Sequence, residues 1–100
     1  MAVPDLLDVD PRELRLPPSR RQGADPGKLQ WQISRYGRST AGMPPLEVFE
    51  APDGVLVVYN GVTRATRIAK LAPGTLVRVE VTGRYPVPYA SGPKVGDVLP

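Results

Sequence analysis

Thirteen prolines and ten glycines in a hundred residues leave no room for a long regular element. Each one interrupts a helix or strand, or fixes a turn, so the chain can fold only as short pieces joined by irregular coil. The windows between the breakers are therefore the first thing to read. Five stand out, at 26–36, 46–51, 55–59, 62–71 and 75–82.

The first window opens on Asp25-Pro26. Aspartate caps free amides at a helix start, and proline suits the first helical position. Leu29, Ile33 and Tyr36 follow at helical spacing, and Gly37 is suited to end the helix. The spacing predicts a helix from Pro26 to Tyr36. Trp31 lies off that apolar stripe, placed either to cover a core edge or to stack on a partner. Upstream, residues 1–24 read as extended or loosely turned. A short strand and one helical turn are expected within Val9–Leu16, and a basic loop at Pro17–Gly23.

Leu46–Ala51 reads as a strand. Pro52-Asp53-Gly54 is a turn in which proline presets one dihedral and glycine accepts positive φ. Val55–Tyr59 is apolar enough to be a second, buried strand, and the pair predicts a hairpin. That strand breaks at Asn60-Gly61, and a helix follows at once, running to about Leu71. Val62, Ala65, Ile68 and Ala69 can face the sheet, while Arg64, Arg67 and Lys70 recur every three residues and share a side. Pro73-Gly74 ends the helix. Thr75–Thr82 alternates, with Val77, Val79 and Val81 on one face and Leu76, Arg78 and Glu80 on the other. Gly83–Pro100 is expected to wrap as a proline-rich tail with a short extended piece at Tyr85–Tyr89. No internal repeat is visible. The class is α+β, a single domain with a mixed sheet of about four strands, two main helices and a core over residues 8–82.

The chain holds neither cysteine nor histidine. That removes disulfides, thiol nucleophiles and imidazole bases, and leaves zinc and haem without their customary ligands. Any metal would be held by carboxylates and water, which favours magnesium, calcium or manganese. The formal charge of +3 permits a phosphate-bearing partner without requiring one. No apolar run approaches the roughly 20 residues that span a bilayer, so no membrane partner is expected. The N-terminus lacks a basic segment followed by an apolar one, so no signal peptide is read. A cytoplasmic protein, or a toxin domain exported without its own signal, fits.

The break at Asn60-Gly61 is where chemistry can be argued. Free amides at a helix start attract anions, and nearby cations strengthen the attraction. Asn60, Gly61, Thr63 and Arg64 are thus candidates for a phosphate cradle, with Arg67 one turn on. Arg64 can clamp a phosphate with two donors, or instead orient the helix through an ion pair with Glu47 or Glu50. Glu80 can help hold a metal with Glu47 or Asp53, or serve as a cross-strand partner for an arginine.

This order of elements resembles the N-terminal domain of ParB-type proteins, in the ParB/sulfiredoxin superfamily. The likeness spans roughly residues 8–82. It comprises the basic loop Pro17–Gln22, the helix Lys28–Gly37, the proline-led strand Pro45–Ala51, the turn Asp53-Gly54, the signature Gly61-Val62-Thr63-Arg64 and the strand Leu76–Val81. The resemblance implies that Gly61, Thr63 and Arg64 contact nucleotide phosphate, with Arg20 or Arg21 approaching from the loop. The chain departs from the family at Val62-Thr63, where Glu-Arg or His-His is frequent. Those groups, associated with nucleotide hydrolysis, are missing here. Nothing after Val81 can supply a helix-turn-helix region, and the sulfiredoxin reaction lacks its cysteine.

Two functions follow as expectations. One is a phosphate-binding domain acting on nucleic acid or nucleotide, in the extreme a metal-assisted nuclease of the bacterial toxin type. In that case Glu47, Glu80, Arg64 and Arg67 would be the candidates for the chemistry, with Thr63 orienting phosphate or water and magnesium or manganese as cofactor. The alternative is a non-catalytic module that recognises an acidic protein. A third reading is an adaptor or structural protein with an unrelated small α+β fold, which shares neither the scaffold nor the chemistry.

Overall fold

The computed structural model describes residues 5–100. The breakers act as expected. Between them lie strand β1 (Asp5–Val9), helix α1 (Pro26–Tyr36), strand β2 (Leu46–Glu50), strand β3 (Leu56–Asn60), helix α2 (Val62–Leu71) and strand β4 (Val77–Arg84). Short 3₁₀ turns occupy Pro11–Glu13, Pro18–Arg20 and Val95–Val98. The chain is an α+β domain with a four-stranded mixed sheet and two helices.

The sheet order is β1-β4-β2-β3. β1 runs antiparallel to β4, β4 parallel to β2, and β2 antiparallel to β3. The valines of β4 alternate inward as the sequence reading requires, and Val77 and Val79 are buried. They meet Leu46, Val48 and Val58 of the neighbouring strands and the apolar side of α2, formed by Val62, Ala65, Ile68 and Ala69. α1 packs on α2. The opposite sheet face carries Glu47, Phe49 and Tyr59, with Phe49 stacked on Tyr59 at 4.2 Å between ring centres.

Several boundaries differ from the sequence reading, each for a physical reason. The first strand lies at Asp5–Val9, upstream of most of the expected window, because Asp10 and Pro11 start a helical turn. The Asp10 side chain caps that turn, accepting from the Arg12 amide at 2.9 Å. β4 extends past Thr82 to Arg84, since Gly83 lets Phe49 lie against the backbone; a Cβ there would stand 3.1 Å from the ring. Tyr85–Tyr89 is not a strand. The Tyr85 amide donates to Glu50, and the Tyr89 and Ala90 amides donate to the Asp53 carboxylate at 2.8 and 2.7 Å.

The core also reaches beyond residues 8–82. Arg15 bridges the outer edge of β3, its amide donating to Leu56 and its carbonyl accepting from Val58. The tail then lies along Leu14–Leu16, with Leu16 donating to Pro93 and Val95 to Leu14. Leu14, Leu16 and Val95 are all buried by this arrangement. The tail wraps, as expected, and supplies part of the core.

Candidate functional site

The site begins with a local problem at residue 61. The backbone there has φ of 120°, which a side chain rarely tolerates. A Cβ would stand 2.6 Å from the buried Leu46 side chain and 3.1 Å from Nη2 of Arg64. Glycine is therefore required both by the dihedral and by close packing, and its bareness lets the Arg64 guanidinium settle over the strand-to-helix break.

The two helix starts are finished differently. α1 is capped by Asp25, which accepts from the Lys28 amide at 2.9 Å. α2 has no side-chain cap, and the Ala65 amide donates to the Gly61 carbonyl at 2.8 Å. The amides of Val62, Thr63 and Arg64 thus have no partner within the helix. They lie beside an open cleft of about 220 Å³ lined by Asn60, Gly61, Thr63 and Arg64, with Tyr59 and Val62. Arg20, from the second 3₁₀ turn, closes one side, and Lys28 and Gln32 of α1 close another. Three cations from three separate segments share the cleft, and no carboxylate of the described residues lines it.

Arg64 is not locked onto a glutamate. Its Nη1 donates to the Pro44 carbonyl at 2.8 Å. Burial lowers its pKa from the usual arginine value, and the charge of nearby Glu47 works the other way. Both effects leave a cation held beside the amides.

The remaining sequence candidates sit elsewhere. Arg67 does not share the exposed side with Arg64. It is only 2% exposed, and its Nη1 donates at 2.8 Å to the carbonyls of both Gly37 and Ser39. Its guanidinium lies 5.4 Å from the Tyr36 ring centre. Arg67 thus serves the carbonyls at and beyond the end of α1. Burial lowers its pKa. Arg21 does not line the cleft; it lies with Arg20 on a neighbouring surface hollow bounded by Pro18–Pro26, and only Arg20 reaches both. Lys70 donates to the carbonyl of Pro100.

Glu47 stands behind the cleft rather than in it. Its carboxylate accepts from the Tyr59 hydroxyl at 2.7 Å and from the Asn60 side-chain Nδ2 at 3.4 Å. Tyr59 Oη also lies 2.6 Å from Thr82 Oγ1. That contact with Thr82 lowers the phenol pKa, but the Glu47 hydrogen bond, burial and the charges of Glu47 and Glu80 outweigh it and raise the pKa. Glu80 pairs in register with Glu47 across β2 and β4. It makes no ion pair among the described residues, and Arg78 bonds to Asp8 instead, at 3.0 Å. Asp53 is committed to the tail. No group of three metal-binding side chains converges among the described residues. Glu47 and Glu80 are adjacent in register, and no third metal-binding side chain joins them among the described residues.

Lys28 and Gln32 were not singled out from sequence. Their signal was available: Lys28, Trp31, Gln32 and Arg35 recur at i, i+3, i+4 and i+7, on the side of α1 away from buried Leu29. No protein-family model, curated protein or solved structure matches this chain. No helix among the described residues is long and apolar enough to cross a membrane.

Proposed function

We propose that this domain binds the phosphates of a nucleotide or nucleic acid in the cleft at the start of α2. The observation that carries the reading is the convergence of Arg20, Lys28 and Arg64 on unpaired helix amides, in a cleft whose described lining has no carboxylate. A phosphate there would receive charge-assisted bonds from side chains and backbone at once. The resemblance to ParB-type domains supports the same residues, Gly61, Thr63 and Arg64, in the same role.

Phosphodiester hydrolysis is the stronger form of the proposal. Glu47 and Glu80, adjacent in register but outside the lining of the cleft, would have to hold the divalent ion. Hydrolysis therefore requires a substrate that extends past the cleft to them; there the ion would activate water and polarise a phosphate. A second reading, a module for an acidic protein, draws support from Val62. That side chain is buried in the core, so its position offers no polar group to a reaction.

Calorimetry with pyrophosphate and with nucleoside triphosphates tests the binding claim. Binding should weaken about tenfold or more in Arg64→Ala, since hydrogen bonds to charged groups contribute about 1.5–3 kcal/mol. Unchanged affinity in that variant would overturn the proposal. Incubating plasmid and RNA with Mg²⁺ or Mn²⁺ tests hydrolysis, and intact substrate with either ion would leave binding alone.

A further inference from the structure

Trp31 is the only tryptophan of the chain, and it is 59% exposed. Tyr36 beside it is 47% exposed, with the two rings edge to face at 6.3 Å. Two exposed aromatic rings in contact form a contiguous apolar surface, the kind of feature that marks an interaction site. The guanidinium of Arg35 lies 5.5 Å from the Trp31 ring centre and 5.9 Å from that of Tyr36, so the aromatic pair carries a cation of its own.

The pair borders a second cleft of about 180 Å³, with Met43 and Pro44 on its far side and Arg64 and Arg67 also in its wall. Arg64 and Gln32 belong to this cleft and to the phosphate cleft alike. A third depression joins them on the other side of Trp31, bordered by Lys28, Gln32 and Thr63. Trp31 thus lines two hollows, each of which shares wall residues with the cationic cleft. The one carboxylate of this third depression, Asp25, is engaged in capping α1.

We infer that the ligand is a single-stranded nucleic acid, with one phosphate in the cleft at Gly61–Arg64 and an adjoining base stacked on Trp31. The inference rests on the phosphate-binding reading and adds the occupant of the aromatic surface. Cations interleaved with an aromatic platform suit a strand whose phosphates need charge and whose bases need flat partners. From Lys28 to Arg35 the exposed stripe of α1 runs about 10 Å, enough for more than one phosphate contact. A duplex keeps its bases stacked on one another and has none to offer Trp31. An acidic peptide satisfies the cations and leaves the rings uncovered.

Anisotropy of a labelled thymidine decamer, at fixed low salt, separates these occupants. Four competitors complete the set: an abasic decamer, the decamer duplex, thymidine monophosphate and a glutamate decapeptide. The decamer should bind about tenfold or more tighter than its abasic analogue, and Trp31→Ala should remove that advantage while Trp31→Phe keeps most of it. Because Trp31 is exposed, its replacement leaves the fold intact, which circular dichroism checks. Equal binding of the decamer and its abasic analogue, with no effect of Trp31→Ala, overturns the stacking and leaves the phosphate cleft standing. Duplex, monophosphate or peptide binding as tightly as the decamer overturns the choice of a single strand. Binding of no phosphate-bearing probe overturns both this inference and the reading beneath it.

Discussion

Replacing Arg67 and Arg64 one at a time should separate two roles that their spacing in sequence makes look alike. Arg67 is buried and holds the Gly37 and Ser39 carbonyls, each at 2.8 Å. Two charge-assisted bonds at the low end of their usual contribution, about 1.5 kcal/mol each, give about 3 kcal/mol for Arg67→Ala. The lower end applies because Ser39 is exposed, so water can replace part of what is lost. For a domain this size that loss lowers the melting temperature by more than about 10 °C. Arg64→Ala gives up one exposed bond to Pro44, about 1 kcal/mol or less. Urea unfolding followed by circular dichroism measures the first effect, and pyrophosphate calorimetry well below the transition measures the second. Arg67→Ala should be destabilised with its pyrophosphate affinity retained, and Arg64→Ala should show the reverse. An Arg67→Ala protein that unfolds at the native midpoint, or that keeps its stability and loses pyrophosphate, would refute the assignment.

Three further substitutions probe the frame around the site. Gly61→Ala forces a strained dihedral and drives a Cβ into Leu46, so it should cost about 3 kcal/mol or more in thermal unfolding. Val95→Ala removes two methyl groups from a fully buried tail residue and should cost about 2 kcal/mol, whereas a merely draped tail would show no loss. Burial raises the Asp53 pKa, but the amides of Ala90, Tyr89 and Val55, together with its own, outweigh that and hold it below the ordinary 3.8. A carboxylate depressed in the folded state confers stability that is complete above its unfolded pKa and lost as pH falls through the folded one. The Tyr89 and Ala90 amide resonances should therefore shift together on acidification through that range, and Asp53→Asn should abolish the transition.

Local chemistry was legible in the residues wherever one short signal decided the outcome. Asp25-Pro26 and Gly37 bounded α1, Pro52-Asp53-Gly54 turned the hairpin, and Asn60-Gly61 marked the break that forms the cleft. Alternating valines placed β4 correctly because one face of it is buried. Long-range arrangement was not legible. Nothing local says that Leu14 and Leu16 will lie between β3 and a tail eighty residues away, since single bridges rather than a strand pattern hold them there. Arg67 illustrates the same limit. Helical spacing puts it with Arg64, but only the fold shows the end of α1 and its following loop closing over it. The basic loop offered Arg20 and Arg21 alike, and only the fold shows that Arg20, the last residue of its 3₁₀ turn, is the one that lines the cleft.

The α2 amides as an anion site can be tested most directly by proton–nitrogen correlation spectra during a pyrophosphate titration. The amides of Val62, Thr63 and Arg64 should show the largest shifts, accompanied by Gly61 and diminished in Arg64→Ala. Shifts confined to other segments, or none as pyrophosphate rises to saturating excess, would contradict the site.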